Sequence, residues 1–266
     1  MSTPAVADAP PIEGRHLKPG ETFRFQCRKD LPCFTRCCAD VTIVLTPLDV
    51  LRLARRLDLS TTEFLERHTH ITWSSDLGLP VVLLRMSETK EKSCPFVSEE
   101  GCSVYDDRPW ACRMYPLAMA LPPARAGEVP QPVFTLLEDG WCEGCGTGPE
   151  WHVDIWREDQ HVLEQELLEK GFRDLVGHPW FIGGRRLDER RTRVMLMACY
   201  DLDRFREMVF ETTFLQRFEI PRERVAKMAR DDLALLDFAF RWLRFALFGE
   251  PTIAVRAHRP EIRRKV

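Results

Sequence analysis

Nine of the ten cysteines in this 266-residue chain, Cys27, Cys33, Cys37, Cys38, Cys94, Cys102, Cys112, Cys142 and Cys145, precede residue 146, and only Cys199 lies beyond. Thiolate is a soft ligand, and two sulfurs carried by one turn can reach the same metal ion or cluster at about 2.3 Å each. Cys33 with Cys37 and Cys142 with Cys145 have that spacing. The bland alternative is a set of buried, inert thiols, which does not account for nine of them within about 120 residues. Adjacent Cys37 and Cys38 are expected to diverge, as neighbouring side chains in an extended segment do, so that one sulfur faces a different metal. Nine sulfurs also exceed the four that one zinc ion or one cubane cluster uses. The arithmetic predicts either two metal centres or one centre with supporting or redox-active thiols, and the cofactor is an iron-sulfur cluster or zinc.

Other residues offer less chemistry. Arg108 and Arg113 are placed to offset thiolate charge through charge-assisted contacts, or else to pair with Asp106 or Asp107. Tyr105 and Trp110 are candidate walls of the site, where burial and hydrogen bonds to sulfur tune a cluster. His152 follows Cys145 by seven residues, and a lone histidine at a helix start reads as structural. His68 and His70 lack acidic neighbours in sequence that would suggest a facial triad. Cys199, among Met and Leu, reads as a buried thiol. Gly144, Gly146 and Gly148 superficially suggest a nucleotide turn ahead of a helix, but the interleaved Cys145 favours a metal loop, and no Gly-Lys-Ser/Thr element is present.

These residues, taken together, resemble the YkgJ-like cysteine-cluster proteins, described as carrying a zinc- or iron-chelating CxxCxxCC domain. The resemblance rests on Cys27, Cys33, Cys37 and Cys38, on the block CPFVSEEGCSVYDDRPWACRMYP from Cys94 to Pro116, and on CEGCGTG from Cys142 to Gly148. It covers roughly residues 20 to 150. The first group departs from the family spacing, with five residues between Cys27 and Cys33 and three between Cys33 and Cys37. A similar cluster accompanies flagellin lysine N-methylases, so the resemblance also implies that the module can attend methyl transfer.

The elements that must position the thiols are short. A strand is expected over Val41 to Leu45, then a helix to about Leu57 with Thr46 as N-cap, Pro47 at its first position and Asp49 reaching back. Ser60 to Glu63 repeats the capping box ahead of Phe64 and Leu65. Leu79 to Met86 reads as a buried strand. Asp107-Arg108-Pro109 opens one helical turn carrying Cys112, strands are expected at Leu117 to Leu121 and Val133 to Leu137 around the Pro-rich stretch Pro122 to Pro132, and Cys142 and Cys145 share a glycine-rich turn. From about His152 the pattern is helical. Ile155, Val162, Leu163, Leu167 and Leu168 share one helix face that Gly171 ends. Asp201 caps a helix through Val209. Pro221 opens a long helix through Val225, Met228, Leu235, Leu236, Ala239, Trp242, Leu243 and Ala246, closed by Gly249 and Pro251. Its aromatics, Phe238, Phe240, Trp242, Phe245 and Phe248, are expected to be core.

The fold class is therefore α+β: a small, loop-rich cysteine-cluster domain over residues 20-150, followed by an all-α region over 151-266. Composition is that of a globular protein, 44% apolar and 30% charged, and a formal charge of -3 offers no electrostatic reason for a nucleic-acid or membrane partner. The basic tail from Arg256 to Val266 reads as a solvated terminus. Met1 to Pro11 lacks the features of a signal peptide, and Leu233 to Phe248, interrupted by Asp237, Arg241 and Arg244, is unsuited to crossing a bilayer. The expected location is cytoplasmic, where thiols stay reduced and metal or redox chemistry displaces a disulfide framework. The partners are metal ions, with redox, metal-handling or protein-modification work at the centre. One alternative is a zinc-stabilised, non-enzymatic module that binds a protein partner through its helical region. Another, an S-adenosylmethionine-dependent N-methylase-like enzyme, rests on the resemblance alone.

Overall fold

A computed structural model describes residues 13–74, 78–120, 131–138, 140–181 and 185–256. The chain forms two compact units, Met1–Lys170 and Gly171–Val266. Expectations for Met1 to Pro11 and for the tail beyond Arg256 fall outside the described residues, as does most of Pro122 to Pro132.

The first unit contains β1 (Arg15–Leu17), β2 (Thr22–Phe25), β3 (Val44–Leu45), α1 (Pro47–Arg56), α2 (Thr61–His68), β4 (Thr69–Ser74), β5 (Leu79–Leu84), β6 (Val97–Ser98), β7 (Gly101–Cys102), α3 (Trp110–Met114), β8 (Leu117–Ala120), β9 (Val133–Leu136), β10 (Cys145–His152), α4 (Val153–Asp159) and α5 (Val162–Leu168). The strands pair antiparallel in four small sheets, β1-β9-β8, β10-β2, β3-β5-β4 and β6-β7. Both capping boxes form. Thr46 and Asp49 exchange backbone and side-chain hydrogen bonds, and so do Ser60 and Glu63.

Several expectations shift. The strand expected from Val41 narrows to Val44–Leu45, and Leu79–Leu84 ends before Met86. Cys145 to His152 is a strand, not the glycine-rich approach to a helix. It pairs with β2, and its register slips between Cys145 and Glu150, where Gly146 and Gly148 take the positive φ that a bulge needs. The single amphipathic helix expected from Ile155 to Leu168 is broken in two by His161, which is left-handed at φ 57°. Its apolar stripe is correspondingly not a buried face: Ile155 and Leu167 are exposed, while Trp156 and Val162 are buried.

β2 alternates as a half-buried strand should, so that Phe23 and Phe25 enter a core made with Leu17, Met114, Leu117, Leu136, Trp156 and Val162. Trp156 meets the rings of Phe23 and Phe25 edge-on at 6.0 and 5.5 Å and donates its indole N–H to Met114 O at 3.2 Å. Full burial of each such ring is worth about 1.5–3 kcal/mol.

A second, polar core joins α1 to α5. Asp49, Gln165 and Glu169 are all buried. Gln165 Nε2 donates to Asp49 Oδ1 at 2.7 Å, and Leu48 N–H donates to Glu169 Oε1 at 3.1 Å. Burial pushes the Asp49 carboxyl up, against the hydrogen bonds it accepts. Burial, and next the neighbouring Asp49 charge, push Glu169 up to about 7. The two carboxyls are thus coupled, ionisation of one disfavouring that of the other.

The second unit is helical: α6 (Lys170–Val176), α7 (Glu189–Tyr200), α8 (Leu202–Phe210), α9 (Phe214–Arg217), α10 (Arg222–Met228) and α11 (Asp232–Phe248). Asp201 caps α8 as expected. Gly171 does not stop a helix. It lies inside α6, where a Cβ would sit 2.8 Å from the Phe240 ring, so close packing explains the glycine. The long helix expected from Pro221 is two, because Asp231 starts α11 by accepting the N–H groups of Leu233 at 2.9 Å and Ala234 at 3.1 Å. Phe238, Phe240 and Trp242 are core, with Phe205 and Phe214 packed on Phe238 and Trp242, whereas Phe245 and Phe248, also expected in the core, are half-buried near the end of the helix. Gly249 closes α11 in the left-handed conformation.

The raised Glu169 makes stability pH-dependent. Between 4.5, the ordinary glutamate value, and about 7, the folded protein keeps a proton that the unfolded chain has released. Stability contributed by the protonated group is present below that window and is lost as pH rises through it, by about 1–3 kcal/mol. Denaturant midpoints at pH 5 and pH 8 should therefore differ less in Glu169→Gln than in the wild type. An identical difference in the two proteins would remove Glu169 as its source.

Candidate metal centre

Three backbone segments bring the thiols together. The first, from Cys27 to Cys38, ends in a 3-10 turn, Arg36–Cys38, entered through Thr35 at φ 66°. Cys94 N–H donates to Cys38 O at 2.7 Å, Ala39 bridges Ser93, and Asp40 N–H donates to Lys92 O at 3.1 Å, with both Asp40 and Lys92 left-handed. Lys92 Nζ also reaches Asp40 Oδ1 at 2.7 Å. Two sharp turns are thereby locked face to face, and positive φ at non-glycine residues is a cost that the pairing must offset. The β6-β7 hairpin then places Cys102 across from Val97. The Cys142 turn closes against the first segment, because Gln26 N–H donates to Gly144 O at 3.2 Å and Glu143 N–H donates to Cys33 Sγ at 3.3 Å.

Electrostatics divides the thiols into two overlapping groups. Burial pushes the Cys27 thiol up, and Cys37, Cys142 and Cys33 push it further. Cys38 is raised first by its hydrogen bond with Cys37, then by burial and by Cys94 and Cys112. Burial raises Cys112 to about 12 although the residue is solvent-exposed, with Cys94, Asp49, Cys102 and Cys37 adding to it. Cys37 belongs to both groups. The expected divergence of Cys37 and Cys38 does not occur, because the tight turn keeps the two sulfurs within hydrogen-bonding reach.

Some neighbours favour the ionised form. Burial raises Cys94, but the amides of Phe96 and Val97 donate to its sulfur and oppose the rise. Burial likewise raises Cys102, opposed by the Val104 amide and then by the Arg108 charge. Amides two and three residues beyond a cysteine, turned onto its sulfur, favour a thiolate that also ligates a cation. Arg108 thus offsets thiolate charge. Its own hydrogen bonds go to Tyr105 O at 2.7 Å and to Gln160 Oε1, and its guanidinium lies 3.9 Å from the centre of the Tyr105 ring. Arg113, buried, donates to the carbonyls of Arg108, Gln160 and Asp106, while Asp107 pairs with Arg56 at 3.8 Å. Tyr105 is exposed and does not wall the site; Trp110 packs against the apolar core.

Cys145 adjoins this assembly, and the remaining candidates separate from it. Cys145 follows Cys142 through a turn, with its amide on Cys142 O at 3.2 Å and its thiol toward Leu137 O at 3.8 Å. A cavity of about 500 Å³ beside the pair is lined by Arg15, Arg24, Glu138 and Glu150 among others. His68 lies between the rings of Phe64 and Phe96, and burial lowers its pKa. His152 is exposed at the end of β10. Cys199 is buried in α7, pushed up by burial alone. All ten cysteines are free thiols. Among the described residues, no three or more His, Cys, Asp or Glu side chains have an arrangement that would hold a metal ion as they stand. The chemistry of the donor set nevertheless fits zinc or iron, with crowded soft sulfurs, amides turned onto them, and a cation nearby.

Residues 26–142 match the family model CxxCxxCC, described as "Putative zinc- or iron-chelating domain". No curated protein and no solved structure matches the chain.

Gly144 is a test of how the last turn is held. A Cβ there would lie 2.7 Å from Gln26 O, a backbone atom that cannot rotate away, whereas a Cβ at Gly140 meets nothing within 4 Å. Gly144→Ala should cost about 1–3 kcal/mol in denaturant unfolding, and Gly140→Ala should be close to neutral. Equal midpoints for the two variants would refute the tight closure.

Proposed function

We propose, from the match of residues 26–142 to the zinc- or iron-chelating CxxCxxCC family model, that this chain holds a polynuclear, thiolate-ligated metal centre. Its ligands are Cys27, Cys33, Cys37, Cys38, Cys94, Cys102, Cys112, Cys142 and Cys145. The supporting observation is the stitching of three distant segments through Cys38 O, Cys33 Sγ and Gly144 O, which gathers thiols separated by more than a hundred residues. Cys38, Cys94, Cys102 and Cys112 form one group, and Cys27, Cys33 and Cys142, with Cys145 next to them, form the other. Cys37 stands at their junction. A bound cation relieves the repulsion that makes these thiols reluctant to ionise, so loading releases protons.

Of the two cofactors, an iron-sulfur cluster suits redox work or a role in protein modification, whereas zinc suits metal handling or replacement of missing core in a loop-rich unit. The short strands of the first unit favour at least a folding contribution from the metal, since such a unit buries little apolar surface for its length. A zinc-stabilised interaction module is the second reading, and the exposed Ile155, Leu163 and Leu167 on α4 and α5 favour it.

Anaerobic purification with iron, acid-labile sulfide and zinc analysis separates these outcomes. Brown protein with iron and sulfide supports the cluster, and colourless protein with stoichiometric zinc supports the second reading. Cys38→Ser, Cys102→Ser or Cys112→Ser should lower bound metal, and Cys199→Ser should leave it unchanged. Loss of metal in Cys199→Ser with retention in Cys102→Ser would overturn the assignment.

A further inference from the structure

We infer that Asp49 is a positioning residue for the thiolate centre, holding Cys112 in place by capping, from sixty-one residues away, the helix that carries it. The inference rests on the metal-centre reading above. α3 is only five residues long, its flanking Pro109 has no side-chain oxygen to cap it, and Cys112 lies two residues after its first position, Trp110. The first N–H of that helix finds its acceptor in Asp49: Trp110 N–H donates to Asp49 Oδ1 at 3.0 Å. A side-chain oxygen taking a free N–H in the first turn is what an N-cap does, and here the cap comes from another helix.

The placement of Asp49 is over-determined. Its side chain is 1% exposed. Oδ2 accepts Thr46 N–H at 2.9 Å within the α1 capping box, and Oδ1 also accepts Gln165 Nε2 at 2.7 Å, with Gln165 itself fully buried in α5. One carboxylate therefore ties together the start of α1, the start of α3 and the middle of α5. On its other side α3 is anchored by Arg113, spent on the carbonyls of Arg108 and Gln160 at 3.0 and 3.1 Å and on Asp106 O. Between these two anchors Cys112 has little freedom. Removing the Asp49 anchor leaves a one-turn helix too short to hold its own geometry, and the sulfur it carries should drift from Cys38, Cys94 and Cys102.

Cobalt(II), added to the full-length, reduced, metal-free protein, is the probe. Its thiolate-to-metal charge-transfer absorption scales with the number of sulfurs bound. Asp49→Ala should lose about a quarter of that intensity per bound cobalt at a four-thiolate site and weaken binding about tenfold or more, the usual effect of removing a group that orients a ligand. Asp49→Asn, which keeps Oδ1 for Trp110, should retain the intensity. Thr46→Ala, which weakens the same helix start but spares the Trp110 acceptor, should retain it too. Folded Asp49→Ala with wild-type intensity and affinity would overturn the inference alone, as would an equal loss in Thr46→Ala. A wild-type protein with no charge-transfer band would overturn the metal-centre reading and this inference together. The Trp110 amide itself offers a test that no variant can confound by misfolding: in the wild-type protein it should be protected from hydrogen exchange, and free exchange would overturn the inference.

Discussion

Thiols gathered this closely resist ionising, and the architecture of the first unit follows from that resistance. Burial raises Cys27 and Cys112, with neighbouring thiols adding to it, and Cys38 is raised first by its hydrogen bond with Cys37 and then by burial and its neighbours. Left without a counter-charge, such an arrangement is protonated and loosely bound together. A divalent or trivalent cation reverses the balance, since every sulfur that repelled its neighbours is attracted to the same centre. The protein supplies part of the compensation in advance, through the amides aimed at Cys94 and Cys102 and through the Arg108 charge.

Holding these sulfurs near one another is left to loops, and loops need other means of becoming rigid. The first unit uses left-handed turns locked in pairs, main-chain contacts made close by glycine, and a buried carboxylate that serves three helices at once. Each device replaces apolar burial that a small sheet of two or three strands does not provide. The polar core of Asp49, Gln165 and Glu169 carries its own cost, because two carboxyls in one buried site cannot both ionise freely. That cost is offset by the hydrogen bonds from Thr46, Leu48, Trp110 and Gln165, which leave the acids well satisfied.

What was legible in the sequence was local. The capping boxes at Thr46 and Ser60 need only four residues each, and both form as read. The cysteine groups were recognisable from residue type and spacing. Several of the errors are non-local. β10 has no alternating pattern, so its strand character comes from pairing with β2, more than a hundred residues away. Gly171 resembled a stop but answers to the Phe240 ring. Asp231 was absorbed into a longer helical pattern because aspartate at a helix start and aspartate on an exposed helix face look alike in sequence. Asp49 was visible as a cap of its own helix, but nothing near it in sequence pointed to Trp110 or Gln165, and Glu169 carried no local signal at all.

Burial raises Cys112 and Cys199 alike, and what separates the two thiols is the company each keeps. Cys199 sits in an apolar core among the side chains of α7, is raised by burial alone, and has the character of a small hydrophobe. Cys112 is raised to about 12 first by burial of its thiol, and then by Cys94, Asp49, Cys102 and Cys37. A thiol raised by burial together with neighbouring thiols differs in a specific way from one raised by burial alone. On the proposed reading those neighbours are fellow ligands, and a bound cation would lift their part of the suppression. For Cys199 it is permanent, because no neighbouring thiol contributes to its shift.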